Sequence, residues 1–293
     1  MDDLLLENAA VIRMGVFVGI FATMALWEIV REKRHLRTSK KSRWLANILI
    51  IIADSVIVRL LFPMGAVGIA FLAGEYGWGL FNVVDVPFWA AIVVSVIALD
   101  FVVWLQHVMF HAVPALWKLH MMHHADLDFD VTTGTRFHPI EMLLSLGIKA
   151  AAIALLGPPV VAVLLFEVIL NATSMFNHAN INIPEPIDRV LRLFLVTPDM
   201  HRVHHSVEPH ETNTNFGFSL PWWDRLFGTY KPQPEAGHED MEIGLKQFRD
   251  PAKNTFLHLM ILPFVDPAGD YDISHREIDE PTAPTEEKRN GSL

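Results

Sequence analysis

Cysteine is absent from the 293 residues. That excludes disulfides, thiolate nucleophiles, Cys-ligated zinc and Cys-ligated iron–sulfur clusters, and it leaves the redox compartment unread. Charge is scarce as well: Asp, Glu, Lys and Arg make up 19% of the chain, against about 25% in soluble globular domains. Positive charge is the scarcer sign, with 23 Lys plus Arg against 33 Asp plus Glu and a formal net charge of -10. A basic surface that would neutralise the phosphates of a nucleic acid is therefore missing. Apolar residues fill the chain instead, at 52% and a mean hydropathy of +0.31. That content excludes a disordered chain and an ordinary water-soluble enzyme. Phe (19), Met (12) and Trp (8) are plentiful, as in proteins that face or bind lipid.

Five apolar runs have the length a bilayer demands, about 20 residues at 1.5 Å rise: 14–30, 44–62, 88–110, 140–156 and 160–176. The first follows an acidic start (Asp2, Asp3, Glu7) rather than the positive charge of a secretory signal, so it reads as an uncleaved membrane helix. The last two are separated only by Gly157-Pro158-Pro159, which stops one helix and starts the next in a tight hairpin. The Gly-rich stretch 64–80 is left open between a loop and a re-entrant piece. Residues 31–43 carry seven Lys or Arg and residues 64–87 none. Basic loops stay inside, which predicts an external N-terminus and a cytoplasmic C-terminus. The expected fold is all-α: a transmembrane bundle of four to five spans with a cytoplasmic helical cap. Three regions are expected: N-terminal helices (1–87), a catalytic region (88–231) and an acidic extension (232–293) whose end, 278–293, reads as disordered. The short apolar patch 256–265 suits either a segment lying on the membrane or a helix packed on the cap.

Ten of the 15 histidines fall between positions 107 and 205, and the predicted topology brings all ten to one membrane face. They form HVMFH (107–111), HMMHH (120–124) and HRVHH (201–205), with His138 in RFHP and His178 in NHAN. Spacings of three and four put imidazoles on one helix face, as a shared metal requires. Pro114 and Pro198 stand where short helices carrying the second and third boxes would start. A single H-x-x-x-H pair is weak, and a histidine at a helix end is often interfacial. Three intact boxes on one side outweigh that bland reading. Ten imidazoles exceed the four that one zinc takes and suit two metals of five or six ligands. Imidazole alone leaves iron, copper, zinc and nickel open. H-E-x-x-H is absent, and no box contains a Glu-x-x-His pair. His35, His210, His238, His258 and His275 lie outside the boxes and read as solvated or capping residues.

These boxes in this order, with RFHPIE and the closing NTNFGFSLPWWDRLFGTY (213–230), resemble the fatty acid hydroxylase/sterol desaturase superfamily of integral membrane di-iron oxygenases. The resemblance covers residues 90–250. It implies a di-iron centre held by His107, His111, His120, His123, His124, His178, His201, His204 and His205. Some branches carry a further histidine four residues before the position of His178, where this chain has Ser174; His138 is the expected replacement. It also implies O2 as co-substrate, a lipid substrate, and electrons from a ferredoxin, a rubredoxin or a b-type cytochrome. The reaction is then hydroxylation or desaturation of a lipid C–H bond, with ether-lipid cleavage or aldehyde deformylation as alternatives on the same scaffold.

Imidazoles at such centres are oriented through their second nitrogen. Candidate partners are Asp199, Glu141 and Asn215, followed by Asp126, Asp128, Asp130, Glu208 and Asn213; a cap or a solvated loop charge is the bland reading for each. Polar stripes Asp100/Trp104/His107/His111 and Glu167/Asn171/Ser174/His178 follow one face of their helices. They suit a lipid channel or helix–helix ion pairs with Lys149 or Arg59. Trp222, Trp223 and Phe227 read as interfacial anchors or a lid, and Asp224 as structural. A metal transporter or sensor is the rival of another class. It would place ligands along a path open to both sides of the bilayer, whereas these boxes gather at one face.

Overall fold

A computed structural model describes residues 2–273; the 278–293 tail and His275 lie outside the described residues. Every regular element there is helical, and β-pairing is limited to isolated bridges. In chain order the α-helices are α1 (Asp2–Val30), α2 (Lys40–Leu61), α3 (Gly65–Tyr76), α4 (Phe88–Ala112), α5 (Pro114–His124), α6 (Pro139–Leu156) and α7 (Val160–Asn177). Short ones follow: α8 (Glu185–Leu191), α9 (Pro198–His204), α10 (Pro209–Thr212), α11 (Trp222–Leu226), α12 (Gly237–Asp240) and α13 (Phe256–Val265).

Five segments are long and apolar enough to cross a membrane, one each from α1, α4, α6 and α7 and one containing α2. At 1.5 Å per residue the 25-residue α4 is about 37 Å long, enough for a hydrocarbon layer of about 30 Å. Large apolar side chains such as Leu49, Ile52, Val93 and Val94 face outward on these helices, a surface that suits lipid rather than water. The stretch left open at 64–80 is α3. Its 12 residues reach only about 18 Å, and it packs against α6, α7 and α1 through buried Ala66, Val67, Ala70 and Ala73. Glycine is needed where the α6–α7 hairpin meets the turn after α3. Gly157 caps α6 at φ +61° and Gly79 sits at φ +90°. A Cβ on Gly79 would fall 2.2 Å from the Gly157 nitrogen.

The hairpin tip therefore marks one end of the bundle. The C-termini of α4 and α7 and the N-terminus of α6 mark the other, and the cap sits there. Pro114 and Pro198 do begin α5 and α9, where a missing N–H costs nothing. Thr197 caps α9 by accepting the Met200 N–H. The cap is pinned to the bundle by the basic stretch, not merely flanked by it. Arg43, 1% exposed, donates to Asp126 at 2.6 and 2.8 Å and to Asp130 at 2.7 Å. Arg34 donates to the Met241 carbonyl at 2.9 Å. Helix α13 buries Leu259 and Leu262 against Ala46, Ile50, Trp117 and Met121 while leaving Leu257, Ile261 and Phe264 exposed. The packed-helix reading of the 256–265 patch therefore holds for its buried face.

Candidate metal centre

Nine histidines converge in the cap, all 3% exposed or less. They form two groups in which each residue offers a nitrogen within 4.8 Å of the others: His107, His111, His120, His124 and His204, and His123, His178, His201 and His205. Both groups draw on several helices. His107 and His111 come from the last turns of α4, and His120, His123 and His124 come from α5. His178 caps α7, and His201, His204 and His205 belong to α9 and its C-cap.

Six rings are oriented through Nδ1. His107 donates to the Phe216 carbonyl (2.7 Å), His123 to Arg136 (3.1 Å), His178 to Ser174 (2.8 Å) and His204 to Thr214 (2.7 Å). His120 donates to Glu141 Oε1 (2.7 Å) and His111 to Asn213 Oδ1 (3.1 Å). With Nδ1 protonated, Nε2 carries a lone pair. These lone pairs face each other: Nε2 atoms lie 3.0 Å apart for His107/His120, 3.1 Å for His204/His107 and His201/His178, and 3.2 Å for His178/His123. Two nitrogens bound at right angles to one metal at about 2.1 Å are about 3.0 Å apart. Nε2 of His111, His124 and His205 has no hydrogen-bond partner. Buried, mutually facing and unpartnered nitrogen donors are a set that a cation satisfies.

Burial pushes the imidazoles down from the ordinary value of 6.5, to about 3 for His120 and His178. His123, His124, His201, His204 and His205 fall well below it, through burial first and neighbouring imidazoles second. Neutral imidazole is the form a metal binds.

The other expected site residues lie elsewhere. His138 does not join either group: its Nδ1 accepts the Ile140 N–H, capping α6, and its Nε2 donates to the Met260 carbonyl at 3.1 Å. Ser174 stays in the site through its carbonyl, on His178. Of the eight polar candidates, Glu141 and Asn213 touch a site histidine. Asp199 instead accepts Arg202 at 2.5 Å and Lys33 at 3.0 Å. Burial would raise its pKa, but Arg202, His238 and Lys33 outweigh burial and hold it at about 2. Asn215, at φ +52°, bridges the carbonyls of Met200 and Lys231. Asp128 holds Arg37 and Thr38, and Glu208 pairs with Lys246. His238, read as solvated or capping, is buried beside Arg202. Glu167 pairs with Arg13 at 2.7 Å rather than Arg59. Asp224 is structural: it is wholly buried and accepts the N–H groups of Phe216 and Gly217 and the Trp104 indole.

Aromatic rings close the chamber, and the box motifs alone did not point to them. Trp117 lies 4.9 Å from the His111 ring and 5.3 Å from His124. Phe129 covers His178 and His205, and Phe216 covers His107, His111 and His204. Two rings instead touch both groups: Phe218 (His107 and His201) and Phe137 (His120 and His123). Both also belong to the apolar core between the membrane helices.

The fold and site define a helical protein of membrane type with a dry polyhistidine chamber at one end of its bundle. Residues 92–229, just under half of the chain, match the fatty acid hydroxylase family model, so this segment is similar to a fatty acid hydroxylase domain. It is 30% identical over 153 residues to an ornithine lipid hydroxylase of Rhizobium tropici, covering 52% of this chain and 45% of that protein. It is 28% identical to the alkylglycerol monooxygenases of Xenopus tropicalis and Homo sapiens, over 55% and 56% of this chain and 35% of each relative. The chain thus spans less than half the length of these curated relatives. No solved structure matches it.

Proposed function

We propose that the protein is a membrane-bound non-haem di-iron oxygenase that hydroxylates a lipid C–H bond with O2 and electrons from an external donor. The observation that carries this reading is the division of nine buried imidazoles into groups of five and four. Each group holds one iron, with no carboxylate among the ligands. The irons supply O2 activation when bound. The chain contributes orientation, through Phe216, Arg136, Ser174 and Thr214 carbonyls and the Glu141 and Asn213 side chains. It also contributes dryness, through Phe129, Phe137, Phe216, Phe218 and Trp117. Glu141 is the one carboxylate hydrogen-bonded to a site histidine among the described residues, and it offsets part of the cationic charge through His120.

Hydroxylation balances when one oxygen atom enters the C–H bond and the other leaves as water, with the electrons and protons coming from the donor and solvent. A ferredoxin, rubredoxin or b-type cytochrome suits that role, because the sequence shows no flavin or haem motif. The seven basic residues of 31–43 favour a cytoplasmic site. Ether-lipid cleavage, which begins with hydroxylation beside the ether oxygen, is the second reading, favoured by the alkylglycerol monooxygenase relatives.

The test is reconstitution of the iron-loaded protein in lipid with 18O2 and a chemical reductant. The expected result is a lipid product carrying a single 18O atom, or an aldehyde and an alcohol if an ether is cleaved. Oxygen uptake with neither an 18O-labelled lipid nor an aldehyde product would overturn the reading.

A further inference from the structure

The aromatic rings around the nine histidines lead in different directions. Phe137 and Phe218 belong to the apolar core between the membrane helices. Phe129 is wholly buried beneath the Arg202 guanidinium, 5.3 Å from the ring centre, and Phe216 is wholly buried as well. Trp117 leads out of the cap. Its ring touches two histidines of the group of five, His111 at 4.9 Å and His124 at 5.3 Å. The same ring stacks on Tyr271 at 5.8 Å, and its indole N–H donates to the Ala268 carbonyl at 2.9 Å. A second route runs beside the first. His111 Nδ1 donates to Asn213 Oδ1 at 3.1 Å, and Asn213 Nδ2 donates to the Tyr271 carbonyl at 2.8 Å. A ring contact and a hydrogen-bonded bridge thus join the group of five to one segment, 268–271, which lies beyond the 92–229 match.

That segment is a thin cover. The run Asp266-Pro267-Ala268-Gly269-Asp270-Tyr271-Asp272 sets three carboxylates among small residues, a composition for water rather than hydrocarbon. Pro267 and Asp270 are exposed, and Ala268 and Gly269 are half-buried. Gly269 turns at φ +69°, where a Cβ would fall 2.6 Å from the Gln247 amide nitrogen. The Tyr271 hydroxyl pins the segment, donating to the Val207 carbonyl at 2.7 Å and accepting the Lys246 N–H at 2.9 Å. Side chains no larger than a methyl at 268 and 269 let another protein approach the indole closely.

We infer that this face is where electrons enter: a one-electron carrier protein docks over Ala268, and its electron reaches the group of five through Trp117, with the Asn213 bridge as a parallel route. The inference rests on the redox-metal part of the oxygenase reading and adds the surface that the donor meets. The step moves one electron. The carrier is oxidised, a ferric ion in the group of five becomes ferrous, and no bond forms or breaks. Stacked and hydrogen-bonded groups favour this route because electronic coupling decays across every through-space gap. Lys246 pairs with Glu208 at 2.9 Å beside the segment, and with Asp270 they give the face both signs of charge. Such a surface suits the small, transient contacts that redox partners make.

The chain has no cysteine, so one introduced cysteine carries one label. A ruthenium tris-bipyridine dye, a one-electron reductant when excited, is attached to the full-length iron-loaded protein in detergent. One labelled variant is Asp270→Cys. The other is Arg37→Cys, an exposed position whose backbone N–H donates to Asp128, next to the Phe129 that covers the group of four. Bleaching of the ferric absorption after an anaerobic laser flash reads the transfer. The expected result is faster bleaching from position 270 than from position 37. Trp117→Leu should slow it several-fold from 270 and leave the rate from 37 unchanged, a separation that a purely structural tryptophan would not produce. Trp117→Phe, which keeps a ring but loses the Ala268 hydrogen bond, serves with a smaller slowing if the leucine variant does not fold; unchanged metal content identifies a folded variant. A rate from 37 equal to or above that from 270 would overturn the inference. So would a rate from 270 that the Trp117 variants leave unchanged. If neither position bleaches a ferric signal, the redox-metal reading fails and the inference falls with it. If bleaching behaves as expected but no oxygenated lipid forms, the entry face stands and the oxygenase reading fails.

Discussion

Glu141 and Asn213 are the two side chains that accept from a site imidazole's Nδ1 among the described residues, and both serve the group of five. The histidines of the other group with an oriented Nδ1 lean on backbone carbonyls, His123 on Arg136 and His178 on Ser174. Substitution should therefore act on one metal and spare the other. Glu141→Leu removes a 2.7 Å hydrogen bond from His120 and the negative charge that raises its basicity. Loss of such a partner typically costs 10- to 100-fold in metal affinity, or about 1.4–2.7 kcal/mol. Asn213→Leu removes a longer, neutral bond of 3.1 Å and should cost about tenfold or less. Glu141→Gln keeps an acceptor without the charge and should fall between. The assay is retention of bound iron against a graded chelator, read as iron per chain. The wild-type protein should lose its metal at high chelator. Glu141→Leu should show a plateau at half the wild-type content, with the second half released where the wild type releases it. A single unshifted transition in Glu141→Leu, or equal loss of both metals in a folded protein, would refute the division into two groups.

Three further outcomes follow from the same structure. The metal-free protein should lose stability as pH falls below about 6.5. Seven cap imidazoles, His120, His123, His124, His178, His201, His204 and His205, are held below that value in the folded chain. The unfolded chain takes up those protons first, so the stability is present above 6.5 and declines below it, by up to roughly 1.4 kcal/mol per pH unit for each imidazole. Melting of apo-protein in detergent between pH 8 and pH 5 checks this, and a flat profile would contradict it. Arg43→Met strands Asp126 and Asp130 and should destabilise the cap by about 3–5 kcal/mol, read as a lower Tm with earlier proteolysis in 125–138. Gly79→Ala should lower Tm as well, because its Cβ meets the Gly157 backbone at 2.2 Å; an unchanged Tm would show that the hairpin and the turn do not dock.

The spans and the nine converging imidazoles were legible because each rests on a local period. Apolar length marks a membrane helix, and spacings of three and four mark a helix face. Pro114 and Pro198 marked the starts of α5 and α9 for the same reason. What stayed hidden depends on long-range pairing. Arg43 reads as one more basic residue in an interior loop, yet it is buried because the 126–130 acids come from a segment more than eighty residues away. Asp199 and Asn215 sit beside the boxes in sequence but are claimed by Arg202 and by the Met200 and Lys231 carbonyls. His138 lies between boxes, yet the start of α6 needs its ring as a cap. Helix α3 was obscured by its glycines, which lower helix propensity in water but permit close packing between membrane helices.

Metal content per chain tests the central claim most directly. Protein purified from iron-replete cells should carry about two irons, as two separate ligand groups require. His204→Ala, in the group of five, and His123→Ala, in the group of four, should each release one iron while the folded protein keeps the other. No transition metal in the intact folded protein, or a single metal lost wholly on either substitution, would contradict the account.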